Sequence, residues 1–557
     1  MTRKLRSNLE PTTARWATRR ALWRALGLTD EDMEKPKIAV VNSSSNLAIC
    51  FSHLDGIAAR VKQVIRDAGA IPFEIRTAAP SDFVTIVGKK GGYILSTRDL
   101  ITNDIEVQVE GAMLDGMLCL ASCDKTVPGQ LMAAGRLNIP TLVVCCGYQP
   151  SGQYRGQHCD IEDLFAAAGG LPFGKVTAEQ MREMGDVAIL GPGVCSGMGT
   201  ANTMHVVCEA LGMALPGSTP VLANSPHMWE VVEAAGRRIV AMVDEDLKPR
   251  DIMTEAAFAN AAKVTLAVSG SINAVKHLAA IAQESGLDVD VHRLFERYAD
   301  TALPLIGVRP NGLTSTEAFE AAGGARGVMK QLAGLLDTDV RTVTGRTLGD
   351  ELADYEVRDA EVIRPLDRPM ARHPTLVLLR GSLAPETAIV KLSVTEERNL
   401  TQRGPAVVYE TVQDAIDGIG GGAVQPGDIL VVRGLGPKGT PGMGVATAVV
   451  FAVLGAGLAG KIALVTDGQL SGLCNVGITL GEVAPEAAAG GPIGLVKSGD
   501  IISIDVGRRV ADLEVPDAVL AERRARLRNW EGEPEHGWLG IYRRLVLPMG
   551  QGAVLLK

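Results

Sequence analysis

The sequence lacks an excess of positive charge, a strongly hydrophobic run and any CxxC motif. Lys and Arg number 55 against 64 Asp and Glu, a net charge of −9, whereas a dedicated nucleic-acid binder needs a basic surface. The one long uncharged stretch, residues 441–460, contains five Gly and five Ala, which predicts a buried helix rather than a membrane span. We therefore expect a small-molecule partner, with no nucleic acid and no membrane.

A disulfide-stabilised secreted protein is also disfavoured. The nine cysteines are odd in number and scattered over 557 residues, unlike the framework of a small secreted domain. The N-terminal segment MTRKLRSNLEPTTARWATRR is basic but has no apolar core of a secretory signal. We expect a cytoplasmic protein with reduced thiols.

The first two thirds of the sequence alternate β-branched runs with amphipathic stretches, which predicts an α/β domain with a mainly parallel sheet. Residues 37–42, 117–122 and 141–146 predict strands. After the first of them, apolar residues recur at helical spacing: Leu54, Ile57, Ala58, Val61, Val64 and Ile65.

A second domain is predicted after a linker. Residues 357–374 are charged, contain prolines and lack periodicity, so we expect domains at residues 1–365 and 366–557. Beyond the linker, turn residues separate short predicted strands: TLVLLRG, AIVKLSV, AVVYE, DILVVRG, KIALVT and GLVKSGDIISIDV. This pattern predicts a β-barrel-like C-terminal domain.

Three cysteines, Cys50, Cys123 and Cys195, each fall between a predicted strand and the following helix. The carboxyl ends of parallel strands form one ligand-binding edge, so the three thiols can meet there. Thiolates prefer iron–sulfur clusters, zinc or copper. The alternative is that each is an ordinary small apolar residue. The three cysteines have no CxxC spacing that would favour a metal or cluster site over this alternative.

Other candidate residues lie in similar turns. Asp82 and Asp124 offer oxygen ligands for a hard cation, although lone aspartates are usually turn residues, and Lys125 has the pattern of a surface lysine. Ser471 lies in the glycine-flanked turn TDGQLSG, with no histidine obviously placed to complete a catalytic triad. The residues alone predict an α/β enzyme and leave its chemistry open.

Six longer blocks make the sequence resemble the dihydroxy-acid dehydratase and phosphogluconate dehydratase family: SCDKTVPGQLMAAGRLNIPTLVV, GVCSGMGTANTMHVVCEALGMALPGS, GSINAV, RGSLAPETAIVK, GPKGTPGMG and TDGQLSG. The resemblance covers nearly the whole chain. Within the family, TANTM and GSLAPE are more similar to the dihydroxy-acid dehydratases than to the sugar-acid dehydratases.

The resemblance implies an N-terminal α/β domain with a two-iron or four-iron sulfur cluster, a barrel-like domain similar to the swivelling domain of aconitases, and a homodimer or a dimer of dimers. The implied cluster ligands are Cys50, Cys123 and Cys195. The implied magnesium ligands are Asp82, Asp124 and a carbamylated Lys125, and the implied base is Ser471.

The implied reaction is elimination of water from a 2,3-dihydroxy or sugar acid to give a 2-oxo acid.

The chain departs from the family at the magnesium half of the site. Val445 stands where relatives carry an acidic ligand, Gly88 and Lys89 replace a usual His-Glu pair, and Glu482 replaces a His. We expect weaker magnesium binding unless a new ligand enters. Glu482 is the candidate replacement ligand, and the alternative is that it is a solvent-facing or structural glutamate. Changed chemistry, such as an isomerase or a magnesium-independent dehydratase, and a non-catalytic cluster-binding homologue are the alternatives.

Overall fold

The computed structural model describes residues 5–394, 400–472, 477–526 and 535–555. Cys474, which the sequence left without a role, lies outside these ranges. In the N-terminal part the strands are β1 (Lys37–Asn42), β2 (Ile71–Arg76), β3 (Gly116–Ala121), β4 (Thr141–Cys145), β5 (Gly152–Tyr154) and β6 (Gln157–Cys159). Its helices are α1 (Ala14–Ala25), α2 (Leu54–Asp67), α3 (Asp82–Thr85), α4 (Gly92–Ala112), α5 (Thr126–Leu137), α6 (Ile161–Ala168), α7 (Ala178–Ala188), α8 (Thr200–Ala210), α9 (Pro226–Glu245), α10 (Pro249–Ile252), α11 (Glu255–Ala267), α12 (Asn273–Ser285), α13 (Val291–Tyr298), α14 (Thr316–Ala322), α15 (Gly324–Gln331) and α16 (Leu348–Leu352).

The N-terminal sheet is parallel throughout, with the strand order β2-β1-β3-β4. Every residue of β1, β3 and β4 is buried, as expected for parallel strands that helices cover on both faces. The helix predicted after β1 is α2, and all six of its predicted apolar positions are buried. The predicted α/β class of this half is confirmed.

The C-terminal part is built on a second sheet. Its strands are β7 (Leu376–Leu379), β8 (Thr387–Lys391), β9 (Thr401–Tyr409), β10 (Ile429–Val432), β11 (Ala463–Thr466), β12 (Ile478–Ala484), β13 (Ile501–Asp505) and β14 (Val510–Leu513). Its helices are α17 (Val412–Gly420), α18 (Thr447–Gly455), α19 (Asp517–Arg526) and α20 (Gly537–Leu545). The strand order is β14-β13-β9-β10-β11-β12-β8-β7. A bridge between Arg380, just after β7, and Val510 of β14 nearly closes the sheet, which confirms the predicted barrel-like domain.

Strand β10 shows how the barrel joins the rest of the molecule. Leu430 and Val432 belong to the large core that contains the parallel sheet, whereas Ile429 and Val431 belong to the core inside the barrel. Successive side chains of a strand point to opposite faces, so both faces of β10 are covered. The barrel therefore packs against the N-terminal half through its outer face.

The prediction of a helix over residues 441–460 is correct only in its centre. Helix α18 covers Thr447–Gly455, and the glycines on either side form loops because they favour turns over helix interiors. In the described ranges, no helix is long and apolar enough to cross a membrane. The loop before α18 carries Val445 to the cavity described next.

Candidate active site

A cavity between the two halves contains most of the residues that the sequence singled out. The N-terminal half contributes Asp82, Cys123, Asp124 and Cys195 to its lining. The barrel half contributes Val445, Thr447, Gln469 and Ser471. Groups separated by several hundred residues in the sequence thus share one enclosed space.

The three thiols come from three loops at one edge of the parallel sheet. Cys50 follows β1 and Cys123 lies two residues after β3. Cys195 lies in the loop between α7 and α8, so the strand predicted before it is wrong. Cys50 and Cys123 are 7% and 6% exposed, and a hydrogen bond from the Cys123 thiol lowers the pKa of Cys50. The same bond, with burial, raises the pKa of Cys123.

Cys195 completes this group. Its thiol interacts electrostatically with Cys50, and burial raises its pKa well above the usual range. Cys123 and Cys195 line the cavity, and Cys50 is hydrogen-bonded to Cys123 beside it. The three sulfurs are a soft donor set, which fits an iron–sulfur cluster better than a hard cation. By contrast Cys119, Cys145 and Cys208 are buried in β3, β4 and α8, as the sequence predicted. Cys146 is also buried, but it lies directly after β4 and not within the strand.

A buried ion pair lies beside the thiols. Lys125 is fully buried, with its ammonium 3.0 Å from Asp82 Oδ2 and 3.6 Å from Asp124 Oδ2. Burial alone would lower the pKa of Lys125, but the two carboxylates overcome this effect and raise it. Burial and the Asp124 carboxylate raise the pKa of Asp82 to about 7. Lys125 is therefore not the surface lysine that its local pattern indicates.

The oxygen atoms of this group also fit a metal site. Ligand atoms of Asp82, Cys123 and Asp124 lie within 4.8 Å of one another. In the described part of the chain, Asp82 Oδ1 is buried and has no hydrogen-bond partner. A buried polar atom normally has one, so this oxygen is available to a cation or a ligand.

Ser471 approaches the cavity from the barrel half. It follows β11, and its amide donates a hydrogen bond of 2.9 Å to Thr447 Oγ1. The next residue, Gly472, lies so close to the N-terminal half that an added Cβ would be 3.2 Å from the Cβ of Ser271 and 3.3 Å from the Cα of Gly199. Glycine therefore lets the serine turn pack tightly against the other half.

The three departures from the family pattern have different surroundings. Val445 lines the cavity, whereas Lys89 is 55% exposed and lies 3.5 Å from Glu535. Glu482 is buried, and its carboxylate pairs with the ammonium of Lys276. Glu482 is not one of the described residues that line the cavity. The hypothesis that Glu482 replaces a lost magnesium ligand is therefore not supported, because its charge is already neutralised by a lysine.

The sequence analysis missed several residues of the cavity, among them Glu162 and Gln469. Glu162 is 6% exposed, and a Cβ added at Gly197 would clash with its carboxylate. Gln469 is 4% exposed. Among the described residues, Glu162 Oε2 and Gln469 Oε1 have no hydrogen-bond partner. Glu162 follows the helix-capping Asp160 in the first turn of α6, where a glutamate is ordinary, so its pattern gave no signal.

The charge state of Glu162 follows from its surroundings. Burial, reinforced by the carboxylates of Asp160, Asp163 and Asp124, raises its pKa well above the usual range. A protonated carboxyl can donate a hydrogen bond, whereas a carboxylate can only accept. The raised pKa favours the protonated form of Glu162, which can donate a hydrogen bond at the cavity.

Comparison with known proteins covers the whole chain. Residues 35–351 match the family profile described as Dihydroxy-acid/6-phosphogluconate dehydratase N-terminal, and residues 361–553 match its C-terminal counterpart. A dihydroxy-acid dehydratase of Caldicellulosiruptor saccharolyticus is 40% identical over 99% of this chain and 100% of its own length. Dihydroxy-acid dehydratases of Methanococcoides burtonii (39%, covering 97% of this chain and 98% of that protein) and Acetivibrio thermocellus (40%, 97% of both) are similarly related.

We expect Glu162→Gln to stabilise the protein increasingly as the pH rises. The folded state keeps the Glu162 proton while the unfolded chain releases it near its ordinary pKa, so the wild type loses stability with rising pH above that value. For one retained proton the slope is on the order of 1.4 kcal/mol per pH unit. Thermal melts of metal-free protein between about pH 5 and 8 measure the gap between the two Tm values.

Glu179→Gln is the matched control, because Glu179 is an exposed glutamate on α7. Its Tm should follow that of the wild type at every pH. If the difference in Tm between Glu162→Gln and the wild type stays constant over this pH range, Glu162 is ionised in the folded protein.

Proposed function

Because this chain belongs to the dihydroxy-acid/6-phosphogluconate dehydratase family, we propose that it eliminates water from a 2,3-dihydroxy acid to give a 2-oxo acid. The observation that carries the proposal is that thiols, buried carboxylates and the Ser471 turn line one cavity. The reaction needs a base for the weakly acidic C2 proton and assistance for hydroxide, a poor leaving group. Groups suited to both tasks face each other across this cavity.

Cys50, Cys123 and Cys195 would hold the iron–sulfur cluster, of the two-iron or four-iron type. Three thiolates leave one coordination position open to substrate, and the bound cluster would supply a Lewis acid for the C3 hydroxyl. Asp82, Asp124 and a carbamylated Lys125 would hold Mg²⁺. Carbamylation needs a neutral amine, so Lys125 must first lose the proton that the two carboxylates stabilise.

Ser471 would take the C2 proton on Oγ. A serine hydroxyl is a weak base, so it must react as an alkoxide stabilised by nearby positive charge. As the C2–H bond breaks, a C2–C3 double bond forms, the C3–O bond breaks, and hydroxide leaves as water after gaining a proton. Glu162, whose pKa burial raises, is the proposed source of that proton. The resulting enol then takes up a proton at C3 and releases its C2 hydroxyl proton, which gives the 2-oxo acid.

The cavity walls favour a dihydroxy acid with an aliphatic tail. Phe83 and Phe165 stack edge to face with their ring centroids 5.2 Å apart, and Ile86, Ile94 and Val445 extend this apolar surface. In the described part of the chain, no Lys, Arg or His lines the cavity. A phosphorylated sugar acid would need such cations, so we propose a short, unphosphorylated substrate.

The remaining features implied by the resemblance stay proposals. We place the domain boundary near residue 365, in the segment between α16 and β7 that contains no helix or strand. We also propose that the protein forms a homodimer or a dimer of dimers and that it is cytoplasmic. Protein purified without oxygen provides the material for all the tests below.

The cluster assignment predicts that Cys50→Ser, Cys123→Ser and Cys195→Ser will each remove the visible absorption and bound iron of the anaerobic protein. Serine is a poor ligand for iron in such clusters, because soft metal centres prefer sulfur. Cys145→Ser is the control, since Cys145 is buried at the end of β4, and it should keep both signals. Retention of full iron content by all three variants would refute the assignment.

Replacement of the proposed base predicts a different result. Ser471→Ala should keep the absorption spectrum but lower kcat by a factor on the order of 10² to 10⁴, the usual contribution of a positioned proton-transfer group. The assay measures 2-oxo acid release from a panel of short 2,3-dihydroxy acids and of free and phosphorylated sugar acids.

Ser498→Ala, which removes an exposed hydroxyl elsewhere in the barrel half, should behave like the wild type. If Ser471→Ala keeps the wild-type kcat on the best substrate, the base lies elsewhere. A wild type with a full cluster but no 2-oxo acid from any acid would favour the non-catalytic alternative.

A further inference from the structure

A fully buried ion pair joins the two halves of the molecule next to the cavity. Lys276, in α12 of the N-terminal half, and Glu482, in β12 of the barrel half, have side chains that are 0% and 2% exposed. An ion pair this deep is costly to desolvate, and apolar residues of similar volume are often at least as stabilising. Stability alone therefore gives little reason for two charges at this position.

The backbone at Glu482 adds a second cost. Its φ is 55°, in the left-handed region that disfavours residues with a Cβ. The pairing of β12 with β8 shifts register between Gly481 and Ala484, so Glu482 lies in an irregular part of the strand. Irregular strand positions commonly redirect a side chain, and here the redirected carboxylate meets Lys276.

The ion pair also contacts a cavity residue. Lys276 Nζ donates a second hydrogen bond to Asn273 Oδ1, and Asn273 lines the cavity. An ammonium group only donates, so it fixes the Asn273 side chain with its oxygen toward Lys276. The amide nitrogen must then point the other way.

The Asn273 nitrogen reaches the serine turn. Nδ2 donates to the backbone carbonyl of Leu470 at 3.0 Å and to Thr200 Oγ1 at 2.9 Å. Leu470 immediately precedes Ser471, and the opposite side of the turn is held by the bond from the Ser471 amide to Thr447 Oγ1. A carbonyl only accepts, so a reversed Asn273 amide would lose this contact.

We propose that Lys276 and Glu482 are positioning residues: together they fix the orientation of the Asn273 amide and so hold the Leu470–Ser471 turn at the cavity. The role of Ser471 as base rests on the proposed function, whereas the holding of the turn does not. Glu482 keeps the ammonium in place, the ammonium orients the amide, and the amide holds the peptide that carries Ser471. None of these side chains exchanges a proton with substrate.

The test is the double variant Lys276→Met/Glu482→Met. It removes both charges together, so no unpaired charge is buried and the fold should persist. We expect a Tm and a visible spectrum close to those of the wild type, faster hydrogen–deuterium exchange at the Ser471 amide, and a kcat lower by about 10²-fold, the effect of a small misplacement. KM should change little, and the isotope effect with C2-deuterated substrate should rise because proton removal becomes slower.

Arg136→Met/Glu284→Met is the matched control. This pair also involves α12, with a separation of 2.8 Å, and within the described ranges it forms no hydrogen bond to the serine turn. The control should leave the Ser471 amide and kcat unchanged.

Unchanged exchange at the Ser471 amide in the Lys276→Met/Glu482→Met variant would overturn the proposal, whatever happens to kcat. Faster exchange with unchanged kcat and isotope effect would also overturn it, since the turn would move without consequence for proton removal. If the wild type releases no 2-oxo acid from any substrate, the proposed function fails separately, and the exchange measurement still decides whether the pair holds the turn.

Discussion

The buried ammonium of Lys125 is the interaction on which the rest of the cavity depends. Two carboxylates and three thiols converge on one wall, and burial of so many groups that become anionic would be prohibitive without a cation. Lys125, fully buried and 3.0 Å from Asp82, supplies that charge from the residue next to Asp124. The same lysine is where the proposed carbamate would form. In that form the bound Mg²⁺, and no longer the ammonium, would balance the charge of the carboxylates.

The second half of the molecule completes the site through close packing. Gly472 leaves no room for a side chain between the serine turn and the N-terminal half, and Asn273 holds the peptide of Leu470 at 3.0 Å. Cys123 and Cys195 of the N-terminal half and Ser471 of the barrel half therefore line the same cavity. Val445 adds to the apolar lining of the cavity, which agrees with the proposed substrate with an aliphatic tail.

Local patterns in the sequence were sufficient for the framework. Strand β1 and the apolar positions of α2 could be predicted because each is encoded by periodicity within a few residues. The loop positions of Cys50 and Cys123 followed from the ends of β1 and β3, whereas the strand predicted before Cys195 is not formed and helix α7 precedes that loop instead. The resemblance supplied the proposed role of all three.

Long-range pairings could not be predicted in the same way. Glu482 and Lys276 are 206 residues apart, and Glu162 looks like an ordinary residue in the first turn of a helix. No local pattern shows that two charged side chains will be buried together, because burial is decided by tertiary packing. The error over residues 441–460 has a different cause, because the glycines that limit helix α18 to Thr447–Gly455 are a local signal.

Anomalous diffraction at the iron absorption edge, from crystals grown without oxygen, tests the central claim most directly. That claim is that one cavity between the two halves combines a thiolate-bound cluster with the Ser471 turn. The account predicts an iron signal bounded by the Sγ atoms of Cys50, Cys123 and Cys195 and facing Ser471 across the cavity. Iron bound elsewhere, or no iron at these thiols in crystals of active protein, would contradict it.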